Sequence, residues 1–121
     1  MSDATTYLVL LWGREEEWAD ADEATVAAAM AEHDRFTRAL AEGGHEIVGG
    51  DALAPAATAR VVRRGDDPDD LTVTDGPYAE AVEQLGGYYA VRTADLAGLT
   101  ALVGIVVGTG TVEIRPVETY A

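Results

Sequence analysis

The stretch EATVAAAMAEHDRFTRALAE, residues 23–42, decides the fold class because it is the clearest helix signal in the chain. Ala, Glu and Arg dominate it, and all three have high helix propensity. Its apolar residues recur at spacings of three and four and therefore share one face of a helix, interrupted by one histidine: Val26, Met30, His33, Phe36 or Thr37, and Leu40. Two glycines follow at 43 and 44 and end the helix.

Short apolar and β-branched runs on either side of this helix predict strands. The predicted strands are residues 6–12, a segment from His45 to Gly50, 58–63, 71–75, 88–93 and 111–117. The acidic loop RGDDPDD joins the two middle strands and indicates a hairpin. Two more helices are predicted. A short one spans residues 77–85, where Pro77 suits the first helical position, and another spans about 94–106.

The order of these elements predicts an α+β fold. With the hairpin and the short helix set aside it reads βαββαβ, the ferredoxin-like arrangement of two helices on one face of a mainly antiparallel sheet. The 121 residues suit a single domain, 1–121. Alternating apolar residues leave the other sheet face without cover, so we expect a second subunit to cover it in a homodimer.

Composition limits the classes of function. The net charge is −14, from 22 acidic and 8 basic residues, which argues against binding to nucleic acid or to an anionic membrane. The basic residues are all Arg, which together with much Ala and Gly suggests a GC-rich bacterial genome or mild halophily. The apolar run at 7–12 is too short for the apolar region of a signal peptide, and the run at 96–107 is too short for a membrane span of about 20 residues. We expect a soluble, cytoplasmic protein.

Few residues are suited to cofactor or metal chemistry. The chain has no cysteine and two histidines, so a thiolate or His-rich metal site is not expected, although one His with carboxylates stays open. Its glycine pairs lack the spacing of a nucleotide-binding loop, and no GxSxG occurs. We therefore expect no cofactor.

His33 is the most informative residue for function, because it occupies the apolar face of the long helix. It is either a core-edge histidine bonded to a backbone carbonyl or a general acid or base at a helix–sheet cleft. His45 follows two glycines at a strand start and is expected to be exposed.

Asp75 precedes Gly76 and Pro77 at the end of a predicted strand. In one interpretation it only makes a turn or caps a helix. In the other its carboxylate orients His33 or binds substrate. Of the adjacent Tyr88 and Tyr89, one faces the helices and the other lines a cleft or a dimer surface.

Several motifs in order resemble the YCII-related proteins, above all the branch named for its DGPF motif. They are HDRFTRAL followed by Gly-Gly, LAPAATARVVR, VTDGPYAEAVEQLGGYY and VEIRPV. The resemblance covers residues 5–117 and implies a dimeric fold of the α/β-barrel type. It places the family's helix histidine on His33 and its DGP on Asp75, Gly76 and Pro77, with Tyr78 in place of Phe. Val82 stands where a Lys is common, so a role of that Lys in binding an anion is in doubt here.

The resemblance implies two alternative functions. Some relatives are small enzymes thought to use a His and an Asp, and one type removes chloride from a chlorinated muconate-type acid. This implies acid–base chemistry on a small anionic ligand, with His33 and Asp75 catalytic and Asp51 a rival partner for His33. The expected substrate-binding residues are Asp51, Gly76, Pro77, Tyr78, Tyr88 and Trp12. In bacterial genomes, the genes of this branch often lie next to genes for extracytoplasmic-function sigma factors. This implies the alternative of a non-catalytic dimeric protein that regulates such a factor.

Overall fold

A computed structural model describes residues 3–119. The elements in chain order are β1 (Thr5–Gly13), α1 (Glu16–Ala19), α2 (Glu23–Glu42), β2 (Glu46–Ala52), β3 (Arg60–Arg64), β4 (Leu71–Asp75), β5 (Gln84–Thr93), α3 (Leu96–Leu102), α4 (Gly104–Val107) and β6 (Thr111–Pro116). A 3₁₀ turn, Ala56–Thr58, lies between β2 and β3. None of the helices in residues 3–119 has the length and apolar character needed to cross a membrane.

The strands form two separate antiparallel sheets. The main sheet has the order β2-β5-β1-β6, and β3 pairs only with β4 in a two-stranded hairpin. Without the hairpin, this is the strand order of the ferredoxin-like fold. The predicted α+β class is confirmed.

The core lies between the main sheet and the helices. Val9 of β1 is fully buried and pairs in register with Tyr89 on one side and Ile114 on the other. Because side chains alternate along a strand, these residues share the face on which the helices pack. The other buried apolar side chains come from this sheet and from the helices: Phe36, Leu40, Val91, Leu99 and Val103.

Helix α2 is covered only along its C-terminal half. Phe36 and Leu40 are fully buried, whereas Val26 and Met30 on the same face are 47% and 60% exposed. The predicted apolar face therefore has the right phase, but the sheet covers only part of it. His33 is half-buried at the boundary between the covered and the open part.

The start of α2 is fixed by Asp22, whose Oδ1 accepts a hydrogen bond from the Thr25 backbone N–H at 2.8 Å. Hydrogen bonding to Thr25, first through its side chain and then through its backbone N–H, lowers the pKa of the Asp22 carboxyl below its ordinary value. The carboxylate therefore stabilises the folded chain at neutral pH, and this contribution is lost as the pH falls through the lowered pKa. An Asp22→Ala variant should melt at a lower temperature than wild type at pH 7, and the difference should shrink in acid.

Thermal unfolding followed by circular dichroism measures this difference in melting temperature. Asp20→Ala is the matched control, since Asp20 lies nearby at the end of α1 and its side chain caps no helix. Equal melting temperatures for the two variants across the pH range would contradict the capping role of Asp22.

The predicted helix over residues 77–85 is wrong. Residues 76–83 form bends and irregular backbone, and β5 begins at Gln84, so Gly86 and Gly87 lie inside a strand. Gln84 and Leu85 pair with Gly13 and Trp12 of β1. At these two residues the local signals for a helix are overridden because pairing with a central strand satisfies their backbone groups.

Two further predictions need correction. The last helix is two short ones, which meet at Val103 and Gly104, since glycine disfavours the helix interior. His45 is buried, with only 5% of its surface exposed, and its Nδ1 lies 2.7 Å from Thr93 Oγ1. Its burial depends on Gly43, where a Cβ atom would lie 3.0 Å from the His45 ring.

Candidate functional site

A cleft of about 340 Å³ opens beside the uncovered half of α2. Met30 and His33 of α2 line one side, and Leu11, Gly50 and Tyr89 come from β1, β2 and β5. Cavities of roughly 300–1,000 Å³ accommodate small organic molecules. The cleft therefore has the size and place of a ligand site, at the point where the helix leaves the sheet.

His33 and Tyr89 form the polar centre of this cleft. His33 Nδ1 lies 2.6 Å from the Tyr89 hydroxyl oxygen, a short hydrogen bond. The Tyr89 ring also packs edge-on against Phe36, with ring centroids 5.2 Å apart. His33 and Phe36 are three residues apart and so face the same direction on α2. Phe36 thus fixes the ring whose hydroxyl meets His33.

Gly50 gives the Tyr89 ring its place. The two residues are partners across β2 and β5, and Gly50 has a φ of +154°, a backbone conformation that side chains disfavour. A Cβ atom there would lie 2.7 Å from the Tyr88 carbonyl oxygen and 3.2 Å from Tyr89 Cδ1. Glycine at position 50 therefore lets the ring lie close over the backbone of β2.

The electrostatics of Tyr89 favour its neutral form. Burial raises the pKa of the Tyr89 phenol, and the negative charge of Asp34 raises it further. A neutral phenol can donate to Nδ1 of His33, which leaves the imidazole proton on Nε2. In the other tautomer, Nδ1–H donates to the phenol oxygen, and Nε2 keeps a lone pair that can accept a proton.

Asp51 and Tyr88, both expected to bind substrate, also line this cleft. They are partners across β2 and β5, next to Gly50 and Tyr89. The alternation of strand side chains directs them to the other face of the sheet, so they contribute mainly backbone to the cleft. The hydrogen-bond partner of the imidazole is Tyr89 and not Asp51.

Asp75 lies at the end of the hairpin, outside the His33 cleft. Its Oδ1 is 3.8 Å from Arg60 Nε, and the Asp75 side chain is 89% exposed. Such an exposed ion pair contributes little stability. Gly76 has a φ of +109° and its N–H donates to the Ala59 carbonyl oxygen, so glycine at this position allows the chain to change direction after β4. Within residues 3–119, no hydrogen bond or ion pair joins Asp75 to His33.

Trp12, Pro77 and Tyr78 line a second, larger cleft of about 450 Å³. The Trp12 Nε1–H donates to Glu113 Oε1 at 3.2 Å, and the mostly exposed Tyr78 ring lies under the Arg63 guanidinium. The walls are mainly apolar and include no histidine. The expected site residues are thus divided between two clefts, except for Asp75 and Gly76, which line neither, and the smaller cleft holds the groups suited to proton transfer.

Tyr89 and Gly50 are the site residues that sequence reasoning left unassigned. The adjacent Tyr88 and Tyr89 are predicted to face opposite sides of a strand, but the sequence does not indicate which of the two rings meets His33. In the part of the chain that the structure describes, no group of three His, Asp or Glu side chains is arranged to hold a metal ion.

Together these features define a ferredoxin-like α+β domain with a His–Tyr pair in a cleft where its long helix leaves the sheet. The family model of the YCII-related domain matches residues 7–120. The chain therefore belongs to the YCII-related family. A search of curated proteins found no match.

Proposed function

We propose that the cleft at His33 binds a small organic molecule and that His33 exchanges a proton with it. The observation that carries this proposal is the 2.6 Å contact between His33 Nδ1 and the Tyr89 hydroxyl at the wall of an open cleft. Tyr89 takes the positioning role expected of Asp75 or Asp51. Within the family, the sequence DGPY at 75–78 supports a place in the DGPF branch.

The chemistry follows from the two tautomers of the pair. When Nδ1–H donates to Tyr89, Nε2 removes a proton from the bound molecule, and the imidazolium that forms keeps its bond to the phenol oxygen. Returning that proton to another carbon of the same molecule completes an isomerisation. In an elimination, the bond to a leaving group on the neighbouring carbon breaks instead, the group departs with its electron pair, and the imidazolium gives its proton to that group or to water. General acid–base catalysis of this kind contributes about 10²–10⁴-fold in rate.

Fragment screening by NMR tests the binding part of the proposal. The two histidines of the chain give separate ring signals, and the buried His45 is an internal reference for binding away from the cleft. Ligands should shift the His33 signals, leave those of His45 in place, and lose at least about tenfold in affinity in a His33→Gln variant. Ligands that bind equally well to that variant would contradict the proposal.

Any compound that is turned over tests the catalytic part. His33→Gln should lower kcat by about 10²–10⁴-fold. Tyr89→Phe keeps the ring but removes the hydroxyl, so it should lower kcat less and shift the pH profile of the reaction. An unchanged kcat in His33→Gln would contradict a catalytic role of His33, and only the ligand-binding part of the proposal would stand.

The surface of the chain favours a second candidate function, association with a partner subunit. Its accessible area is 8647 Å². A compact monomer of 12.7 kDa exposes about 6,200 Å². The excess is larger than the roughly 800 Å² that each partner buries in a standard interface. Apolar side chains of the hairpin contribute to it: Val62, Leu71 and Val73 are each more than half exposed. A hairpin of two strands is marginal without cover.

We therefore propose a homodimer, and expect light scattering after size-exclusion chromatography to give twice the mass of one chain at micromolar concentration. A monomer across the whole accessible concentration range would contradict the homodimer. The exposed hairpin would then be assigned to a different protein, and the sigma factor implied by the family resemblance is the partner to test by pull-down at low salt.

A further inference from the structure

We infer that the His33 cleft selects an uncharged, flat small molecule over an anion of the same shape. The inference rests on the proposed function, since it names the ligand class of the same cleft. It differs from the anionic ligand that the family resemblance implied. Charge, wall shape and hydrogen-bonding groups support it independently.

The charge around the cleft disfavours an anion. Among the described residues that line it, none is Arg or Lys. Asp51 carries the one fixed charge among them, although it contributes mainly backbone to the cleft and its carboxylate acts from the other face of the sheet. Asp34, on the turn of α2 next to His33, acts electrostatically on Tyr89. The whole chain carries −14. A carboxylate ligand would enter a negative potential with His33 as the only lining group that can become positive.

The walls of the cleft suit a flat ring. Gly50, Gly86 and Gly87 leave the backbone of β2 and β5 without side chains at the cleft floor. Leu11 and the exposed, flexible Met30 supply apolar contact at the sides. Thioether and aromatic groups attract each other, so Met30 can close over a ring that lies against the glycines.

The His33 imidazole can act as either a donor or an acceptor of a hydrogen bond to a ligand in the cleft. Depending on the tautomer, Nε2 of His33 presents either a donor or an acceptor, while Nδ1 stays bonded to Tyr89. An amide or a similar neutral group offers both a donor and an acceptor and can meet either tautomer. A carboxylate only accepts, so it can use just one of them.

Matched pairs of ring amides and ring carboxylates test this selectivity. The probes are nicotinamide with nicotinate and benzamide with benzoate, which share ring and size and differ in charge. Titrations are followed by the carbon-bound ring protons of His33 at one fixed, mildly alkaline pH for all four probes. We expect each amide to bind at least about tenfold more tightly than its carboxylate.

Two controls separate charge from shape. Raising the salt concentration should reduce the difference in affinity between each amide and its carboxylate, since salt screens the acidic groups. Asp34→Asn should narrow it as well. Asp69→Asn, in the hairpin loop, removes the same charge away from the cleft and should leave the difference unchanged.

The outcomes distinguish this inference from the proposed function beneath it. Carboxylates that bind as tightly as the amides, with His33 shifts, would overturn the inference and leave the cleft as a ligand site. Probes that shift neither histidine, or only His45, would contradict both the cleft's role and the inference.

Discussion

Replacing Phe36 with Ala should lower the free energy of unfolding by about 3–5 kcal/mol, as for other fully buried aromatic side chains. Phe36 has no exposed surface and meets the Tyr89 ring edge-on. Small domains are stable by about 5–15 kcal/mol in total, so this single truncation removes a large share. It also removes the support of the Tyr89 ring.

Urea unfolding followed by circular dichroism measures the change. Met30→Ala is the matched control, because Met30 lies on the same face of α2 two turns earlier and is 60% exposed. It should cost less than about 1 kcal/mol. Similar losses in the two variants would mean that the sheet covers the whole length of α2, against the partial cover described above.

The second large effect is expected at Gly50. Gly50→Ala should destabilise the fold by about 1–3 kcal/mol, the cost of forcing a side chain into this backbone conformation. The new Cβ would also meet the Tyr88 carbonyl oxygen, which cannot move without disturbing β5. The Tyr89 ring would be displaced, so the hydrogen bond to His33 should be lost together with ligand binding.

Gly49→Ala is the control for Gly50, since a Cβ at Gly49 would meet only Ala90 Cβ, at an ordinary 3.8 Å. The readouts are urea unfolding, which gives the stability, and the ring signals of His33. The ring signals report on the hydrogen bond to Tyr89 in a variant that still folds. If Gly50→Ala kept both its stability and wild-type His33 signals, Gly50 would have no part in placing Tyr89.

The sequence correctly predicted the long helix and the fold class, because both depend on short-range patterns of apolar residues. The spacing on α2 correctly placed Phe36 and Leu40 in the core, because an apolar face follows from helix geometry alone. The order of strands and helices was sufficient for the fold class. Residues 77–85 failed since Pro77 and the acidic residues after it favour a helix start, while the competing pairing with β1 involves residues over seventy positions earlier.

The site was only half predictable for the same reason. His33 was identified by the residue type on an apolar face, which is a local signal. The sequence predicts a carboxylate, Asp75 or Asp51, as the partner of His33. A sequence motif does not indicate which residues are neighbours across two strands. That Tyr89 lies opposite Gly50 depends on the register of β2 against β5, which no short motif reveals. The burial of His45 likewise depends on space beside Gly43.

The separate β3–β4 hairpin should unfold locally more readily than the main sheet. Because β3 and β4 pair only with each other, they can unfold locally while the four-stranded sheet stays intact. Their amide protons should exchange with solvent long before those of β1 and β5, which are paired on both sides. Substitutions in the hairpin should therefore have little effect on the geometry of His33 and Tyr89, which lie on the helix and the four-stranded sheet.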